Sequence, residues 1–104
     1  MRMADIRKLA RRIVREFNPE RVVLFGSFAE GTATADSDVD LLVVLSFRGT
    51  PLRKSVEILN RLDVRFPIDL VARRPEDVRR RYTEGDPLIR EALDRGKVLC
   101  EQNR

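Results

Sequence analysis

Apolar and polar positions alternate in two different rhythms along the chain, and these rhythms predict both helices and strands. Near the N-terminus, apolar residues recur every three or four positions, as in an amphipathic helix. They are Ile6, Leu9, Ala10, Ile13, Val14 and Phe17. Asn18-Pro19 is expected to end this helix. The segment 21–25 that follows is apolar from Val22 onward, which is typical of a buried strand.

The central segment 22–45, VVLFGSFAEGTATADSDVDLLVVL, predicts two strands joined by a turn and a loop. The turn falls at Gly26-Ser27, and a brief helix and a polar loop of small residues follow it. The second strand, 39–45, opens at Asp38-Val39-Asp40 and then carries apolar residues on both faces. We therefore expect its far end to be buried and its start to lie at a rim.

The second half of the chain predicts a further amphipathic helix at 52–66, with an apolar stripe facing the core. The stripe comprises Leu52, Val56, Leu59 (or Ile58), Leu62 and Phe66. Further elements are expected as a strand at 68–72, helices at 74–82 and 88–95, a strand at 97–100 and a frayed tail at 101–104. The order α-β-β-α-β-α-α-β predicts an α/β (α+β) fold, in which helices pack against a small mixed sheet of about four strands. One domain is expected to span 1–104.

The composition fits a globular domain with a heavily charged surface. Of 104 residues, 42% are hydrophobic and 37% charged, and 21 basic residues against 17 acidic ones give a net charge of only +4. The sequence contains no run of eighteen apolar residues, so we expect no membrane span. The N-terminus lacks an apolar signal core. A single cysteine, Cys100, agrees with a reducing compartment, so we expect a cytoplasmic protein.

Three aspartates are the candidate chemical groups. Asp38 and Asp40 lie two residues apart on a strand, so both point to one face, where their repulsion favours a bound cation. Asp69 lies inside an apolar strand, where an acid is costly unless it is paired or bound to metal. If that strand lies beside the second, the three carboxylates would suit two Mg²⁺ ions about 3.5–4 Å apart. The turn at Gly26-Ser27 could present N–H groups to a phosphate.

Each of these residues also has a structural interpretation. Asp38 and Asp40 could belong to a capped strand entry with one acid facing solvent. Asp69 could be a partly exposed acid on an edge strand, paired with an arginine. Ser27 could be a helix N-cap, which is compatible with a phosphate contact.

The combined pattern resembles the nucleotidyltransferase superfamily that includes DNA polymerase beta. The pattern is Gly26-Ser27, ten intervening residues, Asp38-Val39-Asp40 and the later strand aspartate Asp69. The flanking LFGS, Gly31, Ser37-Asp38 and Asp40-Leu41-Leu42 are similar to the minimal nucleotidyltransferase (MNT) branch. The resemblance covers nearly the whole chain and implies the nucleotidyltransferase fold.

The resemblance also implies roles for the candidate residues. Gly26 and Ser27 would hold the β,γ-phosphates of ATP, with Ser37 in the same nucleotide site. Asp38, Asp40 and Asp69 would bind Mg²⁺ and carry catalysis, and Asp69 would also assist as the base.

Minimal nucleotidyltransferases are commonly antitoxins paired with a HEPN ribonuclease toxin, and they silence it by adding AMP to a tyrosine. The resemblance therefore implies a HEPN-type partner and a protein adenylyltransferase activity. Two alternatives stay open: an antitoxin that neutralises its toxin by binding alone, and a transferase acting on a nucleotide or RNA end. Direct nucleic-acid binding is not favoured, because no aromatic residues interleave the arginines at 73–74 and 79–81. Association with a second copy or a partner stays open.

One departure from the family pattern concerns the positions after the Gly-Ser pair. Many relatives carry arginines there, whereas this chain has Phe28 and Glu30. A glutamate facing a triphosphate would repel it, unless the helix turns Glu30 to solvent.

Overall fold

The computed structural model describes residues 1–102, which form five helices and four strands. The helices are α1 (Met3–Phe17), α2 (Ser27–Glu30), α3 (Pro51–Leu62), α4 (Pro75–Thr83) and α5 (Pro87–Arg95). The strands are β1 (Arg21–Phe25), β2 (Val39–Val44), β3 (Ile68–Arg73) and β4 (Lys97–Glu101). This order confirms the predicted succession of elements and the α+β fold class.

The four strands form one mixed sheet in the order β3-β2-β1-β4. β1 runs antiparallel to both β2 and β4, and β2 runs parallel to β3. The two strands of the central segment therefore lie in the middle of the sheet. The third strand lies beside the second, as the three-carboxylate hypothesis required.

Helices cover both faces of the sheet, which explains why the central strands are apolar throughout. On one face α1 and α3 pack over a core that includes Val22, Leu24, Leu41 and Val43. On the other face α4 and α5 contribute to a smaller core that includes Val23, Phe25, Leu42 and Val44. The prediction that β2 is buried on both sides beyond its first residues is confirmed.

The first helix matches its prediction, whereas the apolar stripe predicted for the second amphipathic helix is partly wrong. In α1, Ile6, Leu9, Ala10 and Ile13 are buried. In α3 the buried residues are Ser55, Ile58 and Leu62, while Leu52 and Val56 are exposed. The helix also ends at Leu62, because Asp63 takes a left-handed conformation with φ of 50°.

A hydrogen-bonded serine sets the orientation of α3. The Ser55 hydroxyl donates to the Pro51 carbonyl at 2.8 Å and accepts the Ala72 N–H of β3 at 3.0 Å. Because β3 is an edge strand, this N–H has no strand to pair with on that side. Satisfying it turns Ser55 inward, and this explains why the apolar pattern alone misplaced the stripe.

The predicted frayed tail is also partly wrong. Glu101 belongs to β4 and forms an ion pair with Arg21 at 3.0 Å. The Gln102 N–H donates to the Glu20 carbonyl at 2.9 Å. The last two residues of the predicted tail, 103 and 104, lie outside the described residues.

We expect Ser55→Ala to destabilise the fold by about 1–3 kcal/mol, because it leaves the buried Ala72 N–H without an acceptor. The free energy of unfolding in urea measures this loss. Asn60→Ala, an exposed change on the same helix, is the control and should have little effect. Equal effects of the two changes would contradict the role assigned to Ser55.

Candidate active site

The register between β2 and β3 brings two of the predicted aspartates together. In this parallel pair, Asp40 lies directly opposite Asp69. Asp38 lies just before β2, which begins at Val39. Side chains alternate along a strand, so Asp40 and its neighbour Asp69 share the face of the sheet that α4 and α5 cover.

The three carboxylates differ in exposure. Asp40 is half-buried, whereas Asp38 and Asp69 are exposed. The expected buried setting of Asp69, in which an acid is costly unless paired or bound to metal, is therefore wrong. β3 is an edge strand and leaves this side chain exposed, as the structural interpretation of Asp69 had it. No ion pair to Asp69 occurs within residues 1–102, so the alternative of an arginine-paired acid finds no support there.

In the part of the chain that the structure describes, the charges that act on Asp40 are all negative. Burial raises the pKa of Asp40 above its ordinary value, and the negative charges of Asp69, Asp38 and Glu91 raise it further. These effects show that the carboxylates lie close enough to repel one another. A cation among them would remove that repulsion.

Glu91 is a site residue that sequence reasoning missed. It lies on α5, which packs against β1, and its charge acts on Asp40. Nothing in the local pattern marks Glu91, because its place beside Asp40 depends on how α5 crosses the sheet.

The donor set fits a nucleotide-bound metal better than a site built from protein ligands alone. Within the described part of the chain, no three Asp, Glu, His or Cys side chains are grouped to hold an ion by themselves. Mg²⁺ typically binds one or two carboxylates and takes its other ligands from water and substrate phosphates. Asp40 and Asp69, with Asp38 beside them, form a donor set of this kind.

Gly26 lies against Asp40, and its lack of a side chain is required there. It follows Phe25, which pairs with Asp40 across β1 and β2. A Cβ on Gly26 would lie 2.3 Å from Asp40 Oδ2. Its backbone angles, φ 75° and ψ −154°, also belong to a region that only glycine readily adopts.

The turn after Gly26 leads directly into the short helix α2. Gly26 occupies the N-cap position and Ser27 is the first helical residue, so the interpretation of Ser27 as the N-cap is wrong. The first N–H groups of a helix have no acceptor within it. Here they belong to Ser27 and Phe28, next to the residue that touches Asp40.

The two residues that depart from the family pattern both have partners elsewhere. Phe28 is half-buried and packs against the core beneath α1 and α3. Glu30 is exposed and forms an ion pair with Arg95 at the end of α5. The helix thus turns Glu30 outward, and the arginine offsets its charge.

Ser37 serves the loop that precedes β2. Its hydroxyl accepts the Thr34 N–H at 2.8 Å, and its own N–H donates to the Thr34 carbonyl at 3.1 Å. Ser37 lines a depression with Phe28 and Val39, a set that includes none of the three aspartates. These contacts fix the loop from which Asp38 projects.

Comparison with known families identifies the fold. The sequence profile of the nucleotidyltransferase domain family matches residues 6–99, so the chain belongs to this family. No protein among the curated sequences matches it significantly.

Three solved structures share the architecture. A toxin–antitoxin complex with AMP-PNP contains a chain of 22% identity and TM-score 0.61, covering 93% of this chain and 74% of that one. The toxin–antitoxin MntA-HpeT was solved as a mutant with two aspartates changed to glutamate. Its matching chain is 19% identical with a TM-score of 0.57, and the match covers 99% of this chain and 76% of that one. A protein from Sulfolobus solfataricus is 22% identical with a TM-score of 0.58, and the match covers 72% of this chain and 68% of that one. At these identities the likeness shows the fold.

No helix within residues 1–102 is both long enough and apolar enough to cross a bilayer.

We expect Gly26→Ala to destabilise the chain by roughly 2 kcal/mol or more, because it combines a strained backbone with a collision against Asp40. Gly31→Ala is the control, since Gly31 has a φ of 78° and no atom of residues 1–102, its own chain neighbours apart, lies within 4 Å of an added Cβ; it should cost about 1 kcal/mol. Urea denaturation gives both values.

Removing the Asp40 side chain separates the collision from the backbone strain. In an Asp40→Ala background, the cost of Gly26→Ala should fall, whereas the cost of Gly31→Ala should stay the same. An unchanged cost of Gly26→Ala would contradict the contact between Gly26 and Asp40.

Proposed function

We propose that this chain is a Mg²⁺-dependent nucleotidyltransferase that moves AMP from ATP onto a hydroxyl of a partner protein. The observation that carries the proposal is the pairing of Asp40 with Asp69 across β2 and β3, with Gly26 directly against Asp40. Paired carboxylates suit the metal, and a turn with free N–H groups suits the phosphates attached to it. Membership of the nucleotidyltransferase family supports the same chemistry.

Different residues of the site would bind the metal and the phosphates. Asp40 and Asp69 would hold Mg²⁺ (two ions in the full site), with Asp38 at the exposed mouth. When bound, Mg²⁺ neutralises phosphate charge and orients the triphosphate. The backbone N–H groups and hydroxyl at Ser27 hold the β,γ-phosphates, and Gly26 lets them approach. Ser37 contributes by fixing the loop beside the nucleotide.

The transfer itself is an in-line displacement at the α-phosphorus of ATP. The acceptor oxygen forms a bond to this phosphorus, the bond to the bridging oxygen of the β-phosphate breaks, and pyrophosphate leaves. Asp69 takes the proton of the acceptor hydroxyl, a role that its exposure on the edge strand supports. Arg95, by pairing with Glu30, keeps that negative charge from repelling the triphosphate.

The acceptor we propose is a tyrosine of a cognate HEPN-type toxin. Two of the similar structures are toxin–antitoxin complexes, and one of them holds the ATP analogue AMP-PNP. The exposed positions of Asp38 and Asp69 support an acceptor as large as a protein side chain, because the site is open on that edge. The chain would then act as an antitoxin that silences its partner by AMPylation.

Incubation with α-labelled ATP, Mg²⁺ and the product of the neighbouring gene tests the proposal. We expect label on the partner, abolished by EDTA. Asp38→Asn, Asp40→Asn and Asp69→Asn should each reduce the rate by on the order of 10²-fold or more, since each removes a group that acts in the transition state. Asp36→Asn, an exposed change in the preceding loop, is the control.

Two outcomes would replace the proposal. A stable complex that shows no transfer with any divalent metal would favour neutralisation by binding alone. Label on RNA or on a free nucleotide, with none on the protein, would favour the third alternative.

A further inference from the structure

The outer side of α3 exposes two large apolar side chains on successive turns. Leu52 is 75% exposed and Val56 is 46% exposed. Of the four large hydrophobic residues that are exposed within residues 1–102, two therefore lie together on one helix. Because Ser55 is held inward by its hydrogen bonds to Pro51 and Ala72, α3 cannot rotate to bury the pair.

These side chains line a shallow groove of about 950 Å³ that carries mostly positive charge. Its charged residues are Arg48, Arg53, Lys54, Arg61 and, as the one acid, Glu57. Lys54 pairs with Glu57 at 3.1 Å. Arg48 and Arg53 are exposed and form no ion pair within the described part of the chain. The apolar pair is thus bordered by two unpaired cations.

We propose that this surface of α3, defined by Leu52, Val56, Arg48 and Arg53, docks an acidic segment of a partner protein. Apolar side chains of the segment would cover Leu52 and Val56, while its carboxylates would pair with the two arginines. Burying the apolar pair supplies affinity, and the charges select the partner and speed its association. The chemistry of the occupant is therefore that of an amphipathic acidic helix or strand.

Charge and composition argue against the other occupants. Two copies of the chain meeting symmetrically at this surface would bring like-charged arginines together, which is unfavourable. A nucleic acid would satisfy the arginines, but none of the described residues that line the groove is aromatic, so a base has no ring on which to stack. Leu52 and Val56 would also stay exposed.

The position of the surface separates it from the candidate active site. α3 packs on the face of the sheet shared with α1, whereas Asp40 and Asp69 lie on the face covered by α4 and α5. Leu52 lies at the start of the helix, which follows the C-terminal end of β2, and Asp40 lies near the other end of that strand. A partner docked on α3 leaves the carboxylates accessible, so this inference stands independently of the proposed transfer.

Fluorescence anisotropy with a labelled synthetic peptide tests the proposal on the full chain. The probe is an amphipathic helix with two leucines one turn apart, flanked by glutamates; its counterpart has lysines in their place. We expect the glutamate peptide to bind and the lysine peptide to bind at least about tenfold more weakly. Added salt should weaken the preferred complex, because the charges are exposed.

Substitutions on α3 locate the binding. Leu52→Asp and Arg53→Glu should each weaken the glutamate peptide by about tenfold, and Arg53→Glu should improve the lysine peptide. Both place an acid in the first turn of the helix, where it favours folding. Val98→Asp, at an exposed apolar position on β4 that is 53% exposed, is the control and should change nothing.

Three results would overturn the proposal. They are no preference for the glutamate peptide in the unaltered chain, equal affinity in the Leu52→Asp variant, and a single-stranded RNA oligonucleotide that competes for the same surface.

Discussion

The parallel register of β2 and β3 is the constraint on which the candidate site depends. It sets Asp40 opposite Asp69. Burial raises the pKa of Asp40, and the negative charges of Asp69, Asp38 and Glu91 raise it further. The fold tolerates this repulsion because apolar cores on both faces of the sheet hold the strands in register. Groups held against their own repulsion are typical of sites that receive a cation.

The surroundings of the aspartates follow from that register. Gly26 must lack a side chain because Asp40 occupies the space, and the turn it permits starts α2 beside the carboxylates. Arg95 reaches from α5 to Glu30 and offsets its negative charge. The candidate metal ligands, the candidate phosphate donors and the arginine that offsets Glu30 thus come from separate elements that meet at one end of the sheet.

The sequence predicted the order of elements and the fold class, because buried strands and amphipathic helices leave strong local patterns. It could not orient α3, since Ser55 is turned inward by a hydrogen bond to the distant Ala72. It predicted a buried setting for Asp69, because an apolar strand has the same sequence pattern at the centre and at the edge of a sheet. The sequence pattern also could not identify Glu91, because only tertiary packing brings it close to Asp40.

The most direct test of the paired-carboxylate site is the melting temperature of the chain and of Asp40→Asn, with and without Mg²⁺ and AMP-PNP. Because the folded state raises the pKa of Asp40, stability should fall as the pH rises from the ordinary aspartate range through that raised value. At neutral pH without metal, Asp40→Asn should therefore melt higher than the unaltered chain. Mg²⁺ with AMP-PNP should stabilise only the unaltered chain. The account would be contradicted if Asp40→Asn melted at a lower temperature than the unaltered chain without metal. It would also be contradicted if Mg²⁺ with AMP-PNP raised the melting temperature of Asp40→Asn as much as that of the unaltered chain.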